Sequence, residues 1–382
     1  MDDVSNALAD SRLKAPELWA ELQPYRFEDQ CHLVRTYRRF VSWGLCELLC
    51  KESVRLAMVD AERAIESAEL AVLLSDLLKE APGCAGRLYQ LRGYAWAHDA
   101  NARRVQGDLR NADESFSIAE SWWEAGEERG DAFGYEPMFL EVKSSLRIAQ
   151  RRFAEAFESL DRMYALYADS REHQDTHLAG RTLIKKALAL AEMGEPVQAI
   201  GLLRNAEGLV DARRDLRLFV CLRHNLLWNL TTVEEYEEAK LMLPELSALF
   251  QELGNPLDLL RLHWAEGRVA AGVGETDAAI ERFEALRQDF AARGIAYDAA
   301  LVTLELTALY TRKGSVDDVK RLSLEMASIF QAQDVPREAL AALLFFQKAA
   351  ERERATAKLA RELGIFLEKL RRDPGLRFER LR

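Results

Sequence analysis

The chain has 382 residues, 49% hydrophobic and 30% charged, which excludes disorder and supplies enough apolar surface for a continuous core. A formal charge of −11 excludes broad, salt-driven attraction to nucleic acid or to an anionic membrane surface, so neither is expected as a partner. Five cysteines, odd in number and scattered at Cys31, Cys46, Cys50, Cys84 and Cys221, exclude a disulfide framework and fit a reducing cytoplasm.

Residues 1–28 read as a short helix and linker, without the basic start and apolar core that direct export. No apolar run approaches the roughly 18 residues of a membrane span. Phe40 to Lys51 and Ala61 to Leu78 read as an atypical first helix pair, as terminal units of arrays often are. From Gly93 to Ala125 the pattern is explicit: Tyr94, Trp96, Ala100 and Val105, a break at Gly107-Asp108, then Ala112, Phe116 and Ala119. Apolar spacings of three and four on both sides of a break predict two amphipathic helices folded as a hairpin.

The unit recurs. The Ala that opens each second helix stands at Ala64, Ala112, Ala156, Ala199, Ala239 and Ala279, with Val319 last, at gaps of 48, 44, 43, 40, 40 and 40. Such a period marks a stacked repeat array that grows along one axis. Gly107, Gly194, Gly274 and Gly314 occupy the breaks, where a left-handed residue ends a helix without a Cβ penalty. Arg151 and Glu234 stand at the other two and predict turns made differently. Small side chains on the first helices (Ala100, Ser144, Ala187, Gly267, Thr307; Leu227 departs) face large ones on the second (Phe116, Leu160, Leu203, Leu243, Phe283), predicting close crossings filled by a bulky plug.

Pro244 predicts a kink or a fresh start in the helix after Tyr236. Beyond Pro336, residues 337–372 read as one or two long helices closing the array, followed by a basic tail. Their run Ala341-Ala342-Leu343-Leu344-Phe345-Phe346 is apolar on too many sides for a solvated helix; burial against the last repeat is expected, with a homodimer through these helices as the alternative. The expected organisation is 1–28, N-terminal helix and linker; 29–335, repeat array; 336–382, capping helices and tail.

A small residue at the eighth place, a turn near the fifteenth, Ala at the twentieth and an aromatic or Leu at the twenty-fourth resemble the tetratricopeptide repeat, over about residues 50 to 335. Trp96, Leu306 and Tyr310 add matching positions. The period of 40 to 48 is similar to the longer-helix variety found in sensor and regulatory arms of bacterial signal-transduction proteins. The resemblance implies an all-α, right-handed α-solenoid of about seven antiparallel hairpins with a C-terminal cap, in a bacterial, cytoplasmic regulatory protein.

No catalytic pattern emerges, and no enzyme is expected. His173 and His177 are four apart but lack a third ligand at metal spacing; Cys46 and Cys50 read as buried small hydrophobes; no phosphate-cradling glycine loop follows a strand. No metal or other cofactor is expected.

In tetratricopeptide proteins the first helices line a concave groove, and the resemblance places Tyr94, Asn101, Arg104, Glu141, Ser145, Arg181, Lys185, His224, Asn225, Trp228, Arg261, Trp264, Arg268 and Glu305 along it. The candidate partner-binding set is Asn101, Arg104, Arg181, Lys185, His224, Asn225, Trp228, Arg261, Trp264 and Arg268. Five basic residues against two acidic ones suit an extended acidic peptide, with the two tryptophans as anchors. The competing reading is that these cations pair with carboxylates of the facing second helices. Asn101, Arg181 and Lys185 also sit at or near the places of a carboxylate clamp, from which Ala97 and Val142 depart. The expected function is an adaptor or regulatory module that binds a partner protein or peptide in its groove. The alternative is a ligand- or peptide-sensing regulator controlling a transcription factor or protease, marked by a dry pocket around Trp228 and Trp264.

Overall fold

The computed structural model describes residues 2–57, 59–80, 85–129, 134–169, 174–332, 337–373 and 375–378. Its regular elements are all helical, and no strand occurs among these residues. The chain divides into two compact units, Met1–Ala189 and Leu190–Arg382.

The first unit opens with α1 (Asp2–Leu22) and α2 (Phe27–Thr36). Helix α1 is longer than the short segment expected, because its residues from Ser11 to Leu22 are held by packing and hydrogen bonds. Its Ala15 and Leu22 are buried, and Arg12 reaches Glu47 on α3 (Trp43–Leu56) in a two-pronged pair of 2.7 and 2.8 Å. Hairpins follow: α3 with α4 (Ala61–Leu77), α5 (Ala85–Gln106) with α6 (Leu109–Glu127), and α7 (Glu136–Ala149) with α8 (Phe153–Asp169). Helix α9 (Thr176–Met193) carries the boundary between the units.

The second unit holds α10 (Pro196–Glu207), the pairs α11 (Leu216–Thr232) and α12 (Tyr236–Leu253), α13 (Pro256–Gly272) and α14 (Thr276–Ala292), α15 (Ala296–Lys313) and α16 (Val316–Ala332), then α17 (Arg337–Glu351) and α18 (Ala357–Arg372). Each unit is therefore a stack of α-solenoid hairpins. The repeating Ala is fully buried at all six positions, and Val319 is 5% exposed, so the period read from the sequence is the period of the core. The plug logic also holds: Phe116, Leu160, Leu203 and Phe283 are buried, and Gly267 lets α13 approach the Phe283 ring so closely that an added Cβ would lie 2.8 Å from Cδ1.

Two expectations are corrected. Arg151 and Glu234 do not make different turns: both adopt the left-handed conformation, at φ 59° and 66°, in the place taken elsewhere by glycine. At Arg151 the same two hydrogen bonds close the helix, Arg151 N to Ile148 O and Arg152 N to Arg147 O, as at Gly107 and Asp108. Of the kink or fresh start expected at Pro244, the fresh start does not occur: α12 runs through it with the ring exposed, and Met242 and Leu246 fill the core where Leu243 was expected to. The segment 337–372 forms two helices, within the one or two expected, joined by a further repeat-type turn with Glu353 left-handed (φ 57°) and Arg354 N bonded to Ala349 O. Ala342, Leu343 and Phe346 are fully buried within the second unit, so the apolar run is spent in its own unit and homodimerisation finds no support.

Candidate first-helix sites in the two units

In the first unit the lane residues gather around one carboxylate. Lys185 on α9 donates to the Glu141 carboxylate and carbonyl of α7, both at 2.9 Å, and to the hydroxyls of Ser144 (2.8 Å) and Ser145 (2.7 Å). Its ammonium is thereby saturated, and the pairing reading holds for it, though the partner lies on the neighbouring first helix and not on a second helix. Burial would raise the Glu141 carboxyl, but the charges of Lys185, Arg181 and Arg104 and the Lys185 hydrogen bond hold it below its usual range. Arg104 turns its guanidinium onto Asn101 Oδ1, at 2.9 and 3.2 Å. Arg181 differs from both: its side chain is 55% exposed and touches Glu141 only at 3.5 Å.

Arg181 lines a cleft of about 530 Å³ with Glu141, Tyr167, Gln174, Asp175 and Leu178 among its walls. Pro137 and Met138 at the start of α7 close one side. Most of these residues escaped the sequence reading because they lie at helix ends and between repeats, outside the first-helix register; only Arg181 and Glu141 carry its signal. The Thr182 hydroxyl at the cleft edge donates to the Leu178 carbonyl at 2.9 Å.

In the second unit the structure brings together His224, Trp228, Trp264 and Arg268. The indole rings of Trp228 and Trp264 meet edge to face at 5.4 Å, and the Arg268 guanidinium lies 4.4 Å above Trp228. Glu305 on α15 accepts from Trp264 Nε1 at 3.0 Å and pairs with Arg268 at 3.7 Å. Burial nonetheless pushes its carboxyl above the usual range. His224 packs against Phe250 at 5.7 Å, and burial presses its imidazole down to about 4. The side chains of Asn225 and Arg261 do not join: Asn225 bends back to the Cys221 carbonyl (2.7 Å), and the Arg261 guanidinium points outward to Asp258 (3.0 Å), although the Arg261 backbone meets His224.

Lys185 and Glu305 stand at one register place, nine residues before the left-handed Gly194 and Gly314. Each reaches a residue ten before the left-handed turn of the preceding repeat, Glu141 before Arg151 and Trp264 before Gly274. A carboxylate in one unit and a cation in the other thus fill equivalent places.

Among the described residues no cluster of three or more His, Cys, Asp or Glu is arranged to hold a metal ion, and no helix is long and apolar enough to cross a membrane. His177 is buried; His173 lies outside the described residues, as does Cys84.

No family model matches the sequence, and no curated protein does. Solved structures do match. The apo form of RapI superposes with a TM-score of 0.57 at 12% identity, covering 98% of this chain and 99% of that one. A Rap protein complexed with Competence and Sporulation Factor gives 0.54 at 14%, over 86% and 92%. The chain has the tetratricopeptide-type helical-repeat fold. Aspartyl phosphate phosphatase F from Bacillus subtilis gives 0.54 at 12%, over 82% and 79%.

Proposed function

We propose that this protein is a regulatory adaptor that captures a peptide segment in the first-helix cleft of its first unit, with Arg181 as the anchoring cation. The observation that carries the reading is that Arg181 is half exposed at the wall of an open cleft of about 530 Å³, whereas Lys185 and Arg104 are consumed by internal partners. An amide side chain, a cation and apolar walls are what a peptide main chain with one terminal or side-chain carboxylate needs. Glu141 and Asp175 in the same walls favour a segment of mixed character over a strongly acidic one. Fold likeness to a Rap protein crystallised with Competence and Sporulation Factor is compatible with this role.

The sensing alternative needed a dry pocket at Trp228 and Trp264. Trp264 is buried, the two rings pack on each other, and the space beside them belongs to the hydrophobic cluster of the second unit. Capture at the cleft is therefore preferred. The test is selection of a random-peptide library on the full chain and on Arg181→Glu. Enriched peptides that lose binding on Arg181→Glu are expected; peptides retained equally by the variant, or no enrichment at all, would remove the cleft as the site.

A further inference from the structure

At the end of the α5–α6 hairpin away from its Gly107 turn, two aromatic rings and two guanidinium groups are stacked on one another. Glycine sets the spacing there. A Cβ added at Gly93 would lie 3.0 Å from the Ala119 carbonyl oxygen, and one at Gly126 would lie 3.0 Å from that of Gly86, so α5 and α6 approach backbone to backbone. Beside this crossing the Tyr89 ring of α5 and the Trp122 ring of α6, both partly exposed, pack edge to face at 5.2 Å. The Arg92 guanidinium lies 4.8 Å over Trp122 and 5.5 Å over Tyr89; that of Arg129, just past the end of α6, lies 4.2 Å over Tyr89. Ile118, one turn before Trp122 on the same face of α6, is 39% exposed.

Neither guanidinium forms an ion pair among the described residues. In a chain with 63 acidic residues against 52 basic ones this is a departure, because Arg103 farther along α5 pairs with Asp99 and Glu69, and Arg147 on α7 pairs with Asp113. Arg92 instead donates its Nε to the Ser75 carbonyl of α4 at 3.3 Å, and its Nη groups find no acceptor among the described residues. Arg129 donates to the Ala125 carbonyl (2.8 Å) and, at 3.5 Å, to the Tyr89 hydroxyl. Asp76 of α4 feels the Arg92 charge, which opposes the rise that burial gives its carboxyl, yet the two make no ion pair. A guanidinium already held flat on an aromatic face has little freedom left to lose, and its edge donors match the fork of a carboxylate. We propose that Tyr89, Arg92, Trp122 and Arg129 form a docking surface for an acidic segment of a partner protein, whose carboxylates take the free edges of the two guanidiniums while an adjoining apolar side chain lies on Ile118 and Trp122. Charge complementarity selects the partner: two unpaired cations on an otherwise acidic chain attract an acidic segment and nothing basic. Tyr, Trp and Arg in one cluster supply the anchors that dominate such contacts. If the arginines served only to cover the two rings, no carboxylate ligand would bind.

The inference is independent of the Arg181 cleft, and Arg181→Glu is its control. The probe is a displayed library of linear peptides with a fixed Glu-Glu pair and random flanking positions, selected on the full chain. Clones with aromatic or aliphatic flanks are expected to bind wild type and Arg181→Glu alike, and to bind Arg92→Glu/Arg129→Glu on the order of 100-fold more weakly. Their affinity for the wild type should fall as salt rises. No enriched clone, or clones that bind the double variant as well as the wild type, would overturn the proposal. Should the double change lose the helical circular dichroism of the wild type, Arg129→Glu alone decides, since its hydrogen bonds reach only Ala125 and Tyr89. Weakened binding on that single variant supports the surface, and undiminished binding overturns it.

Discussion

Gly267→Ala tests the packing rule on which the repeat reading stands. The small place on α13 meets the plug on α14: a methyl at Gly267 would sit 2.8 Å from Cδ1 and 3.0 Å from Cζ of Phe283, with Cε1 nearer still. Phe283 is 1% exposed, so its ring cannot swing into solvent. Overpacking a core in this way costs about 1–3 kcal/mol, and the better helix propensity of Ala returns about 1 kcal/mol. The net is a loss of about 1 kcal/mol, a fall in Tm of roughly 2–4 °C for a unit of this size. The control is the same substitution at Gly201 on α10, where nothing lies within 4 Å of the added atom; it is expected to stabilise by about 0.5–1 kcal/mol. Urea melts of both variants read the difference in sign. Adding Phe283→Leu to Gly267→Ala should recover about 1 kcal/mol relative to the sum of the single changes. Stabilisation by Gly267→Ala equal to that by Gly201→Ala would show that α13 and α14 do not approach as described.

Two further outcomes concern charge. Burial presses His98 to about 3 and His224 to about 4, both below the value near 6.5 of an unfolded histidine. The unfolded chain therefore binds more protons across that window, so stability rises with pH through it and falls as pH drops from about 6.5, by up to about 1.4 kcal/mol per pH unit for each histidine. Guanidinium melts between pH 4 and 7 should show this slope and His98→Phe should reduce it; an unchanged slope would mean that His98 is solvated. Lys185→Met removes the cation that saturates Glu141 and should cost about 1–3 kcal/mol at pH 7. Because the Glu141 carboxyl is held low in the folded chain, the stability from this pair is complete above the ordinary carboxylate range and is lost as pH falls through the folded value. The gap between wild type and Lys185→Met should thus narrow as pH falls below the ordinary carboxylate range, and a constant gap at all pH values would contradict the assignment.

The sequence shows the period through residues whose type is dictated by space. A small side chain is favoured where two helices cross, and Ala112, Ala156, Ala199, Ala239 and Ala279 all proved fully buried. Turns were legible where glycine made them and hidden where Arg151, Glu234 and Glu353 adopt the same left-handed state, a cost of about 1–2 kcal/mol that surrounding hydrogen bonds outweigh. The last turn was doubly hidden, because Thr356, its helix cap, stands two residues later than the pattern sets. The saturation of Lys185 was invisible for a different reason: its partner Glu141 lies 44 residues upstream, one repeat away, so the pair exists only once hairpins are stacked. The position of α18 depends on contacts with Glu234, Asp298 and Tyr297, none of which local periodicity encodes.

The first-helix cleft as the capture site is tested most directly by placing a photo-crosslinking benzophenone side chain at Leu178, in the cleft wall, or at Leu241, 82% exposed on the second helix α12. With a peptide selected on the wild-type chain, adducts should form at position 178 and be absent at 241. Adducts at 241 with none at 178 would contradict the assignment of the cleft.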